Sequence, residues 1–254
     1  MKNYALILEY DGTNYCGFQR QKNGVAIQEV LENAIFEATK FRSSVTPSGR
    51  TDAKVHALGQ VVNFCSPTNI PADKLSININ LYLPKDIRVK KSFEVNEDFN
   101  ARKSAKKKTY IYKIVNQKYF SVFDENRALY YPYDLDFTLL QKGTKLLCGT
   151  HDFSAFVASG ASTQTTIRTI YQAGFHKDGH YLIFKITGNG FLYNMVRIIV
   201  GTLLEVGRSK RSLDNFKALL SGGKRKDSGK TVSPSGLYLA NVEYDECFEN
   251  TTSK

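Results

Sequence analysis

The stretch from Phe191 to Val206 constrains the fold more than any other part of the chain. Leu192, Met195, Val196, Ile199, Leu203 and Val206 recur at the spacing of one helix face, and Ile198, Val200 and Leu204 fill in the rest. The predicted helix is therefore apolar nearly all round, and such a helix is buried inside a folded protein. Asn194, Arg197 and Glu205 interrupt it, which excludes a membrane span. Glu9 and Asp11 sit where an export signal would be purely apolar. Arg197 is the anomaly. A guanidinium in a buried helix costs several kcal/mol of desolvation unless a carboxylate or phosphate answers it. Asp52 is one candidate for that partner, and a structural ion pair with some other carboxylate is the alternative.

Around this helix the hydrophobic periodicity switches repeatedly between two and 3.6. Tyr4 to Tyr10 alternates as a strand, and Ile27, Val30, Leu31, Ala34, Ile35 and Ala38 give an amphipathic helix. Val55 to Phe64 is a predicted strand, Ala72 to Leu83 a helix closed before Pro84, and Ile87 to Val95 a further strand. The pattern then restarts. Thr109 to Val115 is a strand and Leu139 to Leu147 a helix. Ile167 to Phe175 and Tyr181 to Thr187 flank Asp178-Gly179 as a hairpin. After the long helix come a shorter one at Leu213 to Leu220, ending at Gly222-Gly223, and a closing strand from Leu237 to Tyr244. The expectation is an α+β protein of two tandem α/β sandwich halves, 1–103 and 104–254, joined near residues 100–108.

Charge narrows the function. The chain of 254 residues carries 35 Lys and Arg against 24 Asp and Glu, a net +11, and the excess is clustered. Arg102, Lys103, Lys106, Lys107, Lys108 and Lys113 run without a carboxylate and interleave with Tyr110 and Tyr112. A second run holds Arg208, Lys210, Arg211, Lys217, Lys224, Arg225, Lys226 and Lys230 against Asp214 and Asp227. Cations neutralise phosphates and aromatic faces stack on bases, so this pattern suits RNA, with a merely solvated charged face as the alternative for either run. Cys16, Cys65, Cys148 and Cys247 are dispersed with no C-x-x-C pair, which argues against a zinc ribbon or a disulfide framework and for a reducing cytoplasm.

Two segments carry candidate chemistry. In Ser48-Gly49-Arg50-Thr51-Asp52-Ala53-Lys54-Val55-His56-Ala57, one carboxylate lies between turn-forming residues and a strand, with Arg50 and Lys54 nearby to keep it ionised. An Asx turn, in which Asp52 bonds its own backbone, is the structural alternative. His56 is expected to meet solvent or a hydrogen-bond partner rather than act as a base. In Lys108-Thr109-Tyr110-Ile111-Tyr112-Lys113-Ile114, alternation puts both phenols on one face. Tyr112 is expected in the core, and Tyr110, nearest the lysines, is the stacking candidate.

S-G-R-T-D-A-x-V-H-A, K-x-x-T-Y-x-Y-x-I, G-N-G-F-L-Y-N-M-V-R-I-I-V-G-T-L-L-E-V-G and S-P-S-G-L-Y-L follow one another over almost the whole chain. In this the sequence closely resembles the tRNA pseudouridine synthase A family. The resemblance implies two α+β halves sharing a continuous, mainly antiparallel sheet with a central RNA-binding cleft. It implies that Asp52 is the catalytic aspartate, Arg197 its ion-pair partner, Tyr110 the ring stacked on the target base and Leu237 an aliphatic wall of the base pocket. Arg50, Lys54, Lys106, Lys107 and Lys108 are the expected RNA contacts. A cofactor-free homodimer acting on uridines 38–40, on the 3′ side of the anticodon stem-loop of transfer RNA, is implied as well. Lys54 stands where the family usually has glycine, Phe18 where tryptophan is usual, and Ser233-Pro234-Ser235 where alanines are common. Two alternatives stay open: a diverged paralogue acting on another RNA site, and a non-catalytic RNA-binding protein. A metal-dependent nuclease fits less well, because no carboxylates and histidines cluster at ligand spacing.

Overall fold

The computed structural model describes residues 1–22, 24–160 and 163–245. In chain order the elements are β1 (Lys2–Tyr10), α1 (Ile27–Thr39), β2 (Thr46–Pro47), β3 (His56–Ser66), α2 (Ala72–Asn80) and β4 (Ile87–Val95). They continue with β5 (Lys107–Val115), β6 (Leu129–Tyr130), α3 (Phe137–Leu147), β7 (Gly149–Asp152), β8 (Ile167–Asp178) and β9 (Tyr181–Gly188). The chain closes with α4 (Met195–Gly207), α5 (Leu213–Leu219) and β10 (Leu237–Glu243). The fold is mixed α+β with mostly antiparallel strand pairs, and every long element expected from periodicity is present.

The chain divides into two compact units, one made of residues 1–106 and 238–254 and the other of 107–237. In the first, β1 lies between β3 and β4, antiparallel to both. The short β2 adds to β3 antiparallel. The closing strand joins this unit, running parallel to β3 with Tyr238 opposite His56. Nothing in the periodicity of β10 announces that partner, since alternation fixes which faces a strand presents but not what it pairs with. Leu6, Leu8, Phe64, Leu31, Ile35, Leu75 and Ile79 are buried where α1 and α2 cover the strands.

In the second unit β5, β9, β8 and β7 form consecutive antiparallel pairs, and β6 runs parallel to β5. Phe175 pairs with Phe184 and Tyr112 also pairs with Phe184 across the two ladders, so the buried side chains of three strands share one face. Asp136 caps α3 by accepting the Leu139 N–H at 3.0 Å, and Ser212 caps α5 by accepting the Asn215 N–H at 3.1 Å. The long apolar helix is shorter than its hydrophobicity implies. Phe191 to Asn194 form an irregular lead-in, closed by Asn194 in the left-handed region at φ 60°, and α4 begins at Met195. Hydrophobicity marks what is buried, not where helical hydrogen bonding starts. From there to Gly207 all but Arg197 and Glu205 are buried.

Candidate active site

The Ser48–Val55 segment of the first unit is tied down at nearly every residue. Ser48 N–H donates to the Val61 carbonyl at 2.7 Å, and the Thr51 carbonyl accepts the Phe18 N–H at 3.0 Å. Lys54 N–H donates to the Tyr15 carbonyl at 3.2 Å. The Asp52 carbonyl accepts the Val55 N–H at 3.1 Å, so residues 52–55 form a β-turn with Asp52 at its first position. Asp52 is half-buried, while Arg50, Ala53 and Lys54 are exposed. A carboxylate is thus presented beside two solvated cations on a backbone with little freedom.

Side chains hold the same loop from below. The Tyr10 hydroxyl lies 2.7 Å from Thr51 Oγ1, and Ser48 Oγ donates to Gln60 Oε1 at 2.6 Å. Gln60 Nε2 donates in turn to the Gly49 carbonyl at 2.8 Å. All four of these side chains are buried. Burial pushes the Tyr10 phenol up to about 12, against the opposing bonds from Thr51 and Gln60. It therefore stays protonated throughout the neutral range. Gly17 closes the other side. Its φ is +114°, and a Cβ there would come within 2.8 Å of the Thr51 carbonyl and 3.2 Å of the Ala53 nitrogen. Only glycine combines that conformation with that approach.

Tyr10, Gly17 and Gln60 were not among the residues expected from sequence. Gln60 had one signal, a polar side chain in the largely apolar run Val55 to Phe64. The other two had none. His56 is buried and stacked on Tyr238 with ring centroids 4.7 Å apart. Its Nδ1 lies 3.1 Å from the Gly12 N–H and 3.2 Å from Asp11 Oδ1. It belongs to the packing beneath the loop, in keeping with its expected role as a hydrogen-bonded residue.

Lys54 occupies the third position of the turn at φ 63°. A residue with a Cβ pays roughly 1–2 kcal/mol in the left-handed region, and glycine does not. Against this, glycine gives the unfolded chain more freedom to lose, a cost of about 0.4–1 kcal/mol. Lys54→Gly is therefore expected to raise the unfolding free energy by about 0.5–1 kcal/mol, read from urea titration of both proteins. A fall in stability would show that the lysine side chain makes a compensating contact.

In the second unit Tyr110 is buried, and its ring makes an edge-to-face contact with Phe191, centroids 5.0 Å apart at 82°. Tyr112 is wholly inside, as expected, with its hydroxyl donating to the Ser233 carbonyl at 2.6 Å. Burial drives its phenol far above the ordinary tyrosine value, and the Arg197 charge nearby opposes that. Arg197 itself is half-buried, in the first turn of α4. Its Nε donates to the Val232 carbonyl at 2.8 Å and its Nη1 to Asn194 Oδ1 at 2.6 Å. Neutral oxygens thus meet part of the desolvation cost that seemed to require an anion. Consecutive carbonyls, at 232 and 233, accept from Arg197 and Tyr112. The Val232-Ser233-Pro234-Ser235-Gly236 segment is in this way a clamp between α4 and β5. A Cβ on Gly236 would sit 2.8 Å from the Tyr112 ring, so glycine is needed there for close approach. Leu237, which follows it, is buried.

The basic runs divide by chemistry. Lys106 Nζ is 2.7 Å from Asp245 in the first unit, with both side chains largely in solvent. Lys107 Nζ lies 5.5 Å over the Tyr171 ring, and Lys107 and Lys108 are half-buried at the start of β5. In the second run the arginines brace the chain. Arg211 binds Glu205 through Nε and Nη2, at 2.9 and 2.8 Å. Arg225 donates to Ser228, Gly229 and Thr231. Lys210, Lys217, Lys224, Lys226 and Lys230 are exposed. A planar guanidinium suits fixed forks of acceptors, whereas ammonium groups stay hydrated and exchangeable for phosphates.

No group of three or more His, Cys, Asp or Glu side chains among the described residues is placed to hold a metal ion. No helix among them is long and apolar enough to cross a membrane.

A family profile described as tRNA pseudouridine synthase matches residues 6–104 and 144–245. Similar curated proteins include the tRNA pseudouridine synthase A of Acetivibrio thermocellus, 46% identical over 244 residues, which cover 96% of this chain and 100% of that protein. Those of Clostridium acetobutylicum and Lacticaseibacillus casei are 45% and 43% identical, each covering 96% of this chain and 100% of the relative. In class, then, the chain is an RNA-modifying isomerase. It belongs to the tRNA pseudouridine synthase family, which converts uridine in transfer RNA to pseudouridine.

Proposed function

We propose that the protein isomerises uridine at positions 38–40, on the 3′ side of the anticodon stem-loop of transfer RNA, with Asp52 as the catalytic carboxylate. The observation that carries this is the Asp52 loop: the one acidic residue of positions 48–57, on a braced backbone, within a segment matched by the family profile. The reaction breaks the bond from N1 to C1′, turns the uracil, joins C5 to C1′, releases the C5 proton and takes up a proton at N1. Its atoms and electrons balance within the nucleotide, so no redox partner is needed. Asp52 serves either by adding to C1′, to be displaced when C5 bonds, or by removing the 2′ proton so that a glycal forms and is later reprotonated.

Tyr110 is assigned the stacking surface that keeps the detached uracil in place while it turns, with Leu237 as an aliphatic wall. Arg197 is assigned the pairing that keeps Asp52 ionised. Both assignments require the loop of the first unit and these residues of the second to act on one nucleotide. Arg50, Lys54, Lys106, Lys107 and Lys108 would bind phosphates around the target. Those contacts offset the few kcal/mol needed to take the uridine out of its stack. The protein is proposed to act as a homodimer in the cytoplasm.

Transcripts of transfer RNA carrying tritium at uridine C5 test this directly. Purified protein should release tritium to water from a transcript with uridines at 38–40, and carbodiimide-blocked reverse transcription should map the product there. Equal release from a transcript lacking those uridines would refute the site. Tight binding without release from either would favour the non-catalytic RNA-binding alternative.

A further inference from the structure

We propose that Gln60 and Tyr10 are positioning residues that fix the Asp52 carboxylate for reaction, a role that rests on the assignment of Asp52 above. Gln60 is fully buried on β3, and both ends of its amide are spent on the loop. Its oxygen accepts from Ser48 Oγ at 2.6 Å and its nitrogen donates to the Gly49 carbonyl at 2.8 Å. Tyr10, at the end of β1, reaches the other flank, with its hydroxyl 2.7 Å from Thr51 Oγ1 on the residue before Asp52. The two side chains approach each other closely enough for Gln60 to hydrogen-bond the Tyr10 hydroxyl. One buried network therefore grips residues 48, 49 and 51, while backbone bonds from Phe18 and Val55 hold 51 and 52.

Stability alone does not account for this arrangement. An apolar side chain at position 60 would bury as well and would leave no amide to satisfy. The buried amide is tolerated because it is satisfied, by Ser48 and Gly49 in the loop and by the Tyr10 hydroxyl at the end of β1. Catalysis by a single carboxylate depends on its placement, and a displacement of about 1 Å costs on the order of a hundredfold in rate. Tyr10 and Gln60 touch no reacting atom; they act through the backbone that carries Asp52.

Tyr10→Phe and Gln60→Met remove the polar groups while keeping shape. Both are compared with the unaltered protein under single turnover at saturating transfer RNA, with binding measured separately. The rate constant is expected to fall about 10- to 100-fold, with the dissociation constant within about threefold. Ser92→Ala supplies a control for lost stability. It removes a buried hydroxyl that accepts from Ser76 N–H at 2.8 Å and donates to the Ala72 carbonyl at 2.6 Å, and its rate constant should not change. If Gln60→Met fails to fold, Tyr10→Phe alone decides, since it removes one oxygen only. An unchanged rate constant in folded variants overturns the positioning role. So does a loss explained entirely by weaker RNA binding, or an equal loss in Ser92→Ala. An unaltered protein that releases no tritium overturns the assignment of Asp52 and this role with it. Active protein with unaffected variants overturns only the role.

Discussion

Asp52→Asn is expected to reduce pseudouridine formation by at least about 10⁴-fold, because the amide can neither add to C1′ nor take the 2′ proton, and removal of an essential nucleophile or base typically costs that much or more. Binding of transfer RNA should stay within about threefold, since the lysines and Tyr110 are untouched. The fold should also survive. Asn is isosteric with Asp, and the bond that closes the turn, the Asp52 carbonyl accepting Val55 N–H, does not involve the side chain. Tritium release and filter binding on one preparation separate these effects. Full activity in Asp52→Asn would remove the carboxylate from the mechanism and with it the reason for the braced loop.

Gly17→Ala is the second large effect, and it acts on both stability and rate. At φ +114° an alanine is strained, and its methyl carbon would lie 2.8 Å from the Thr51 carbonyl oxygen, closer than such atoms approach. Strain of about 1–3 kcal/mol plus the clash predicts a loss of about 2–4 kcal/mol in unfolding free energy. The backbone that must yield is that of Thr51, Asp52 and Ala53, so folded protein should also lose roughly a hundredfold in rate constant at saturating RNA. Urea titration and single-turnover kinetics read the two separately. A variant with ordinary stability and ordinary rate would show that the loop moves aside without consequence. Asp52 would then not depend on its support. Stability lost with the rate preserved would assign Gly17 to folding alone.

The contrast between Gly17 and Lys54 explains how much of the site was legible beforehand. Both are in the left-handed region, in or against the same loop. Gly17 is one of 18 glycines and gave no hint of its contact with Thr51. Lys54 stood out because the resemblance led one to expect glycine there. The expectation concerned RNA contact, yet the turn geometry supplies a conformational reason. Arg197 shows a related difference. Its isolation among apolar residues marked a costly guanidinium; part of the cost is met locally by Asn194, but the Val232 carbonyl comes from a segment whose approach no periodicity records.

The sequence by itself determined the inventory of helices and strands, the burial of the apolar helix expected within Phe191 to Val206, the core position of Tyr112 and the candidate residues Asp52, Tyr110 and Arg197. These depend on local spacing and on residue chemistry, and both are written along the chain. Tertiary structure alone decided that β10 joins the first unit, that the 232–236 segment clamps Arg197 and Tyr112, and that Tyr10, Gly17 and Gln60 brace the loop. Each of those is a meeting of residues far apart in the chain, fixed by which hydrogen-bonding groups must find partners once water has been excluded.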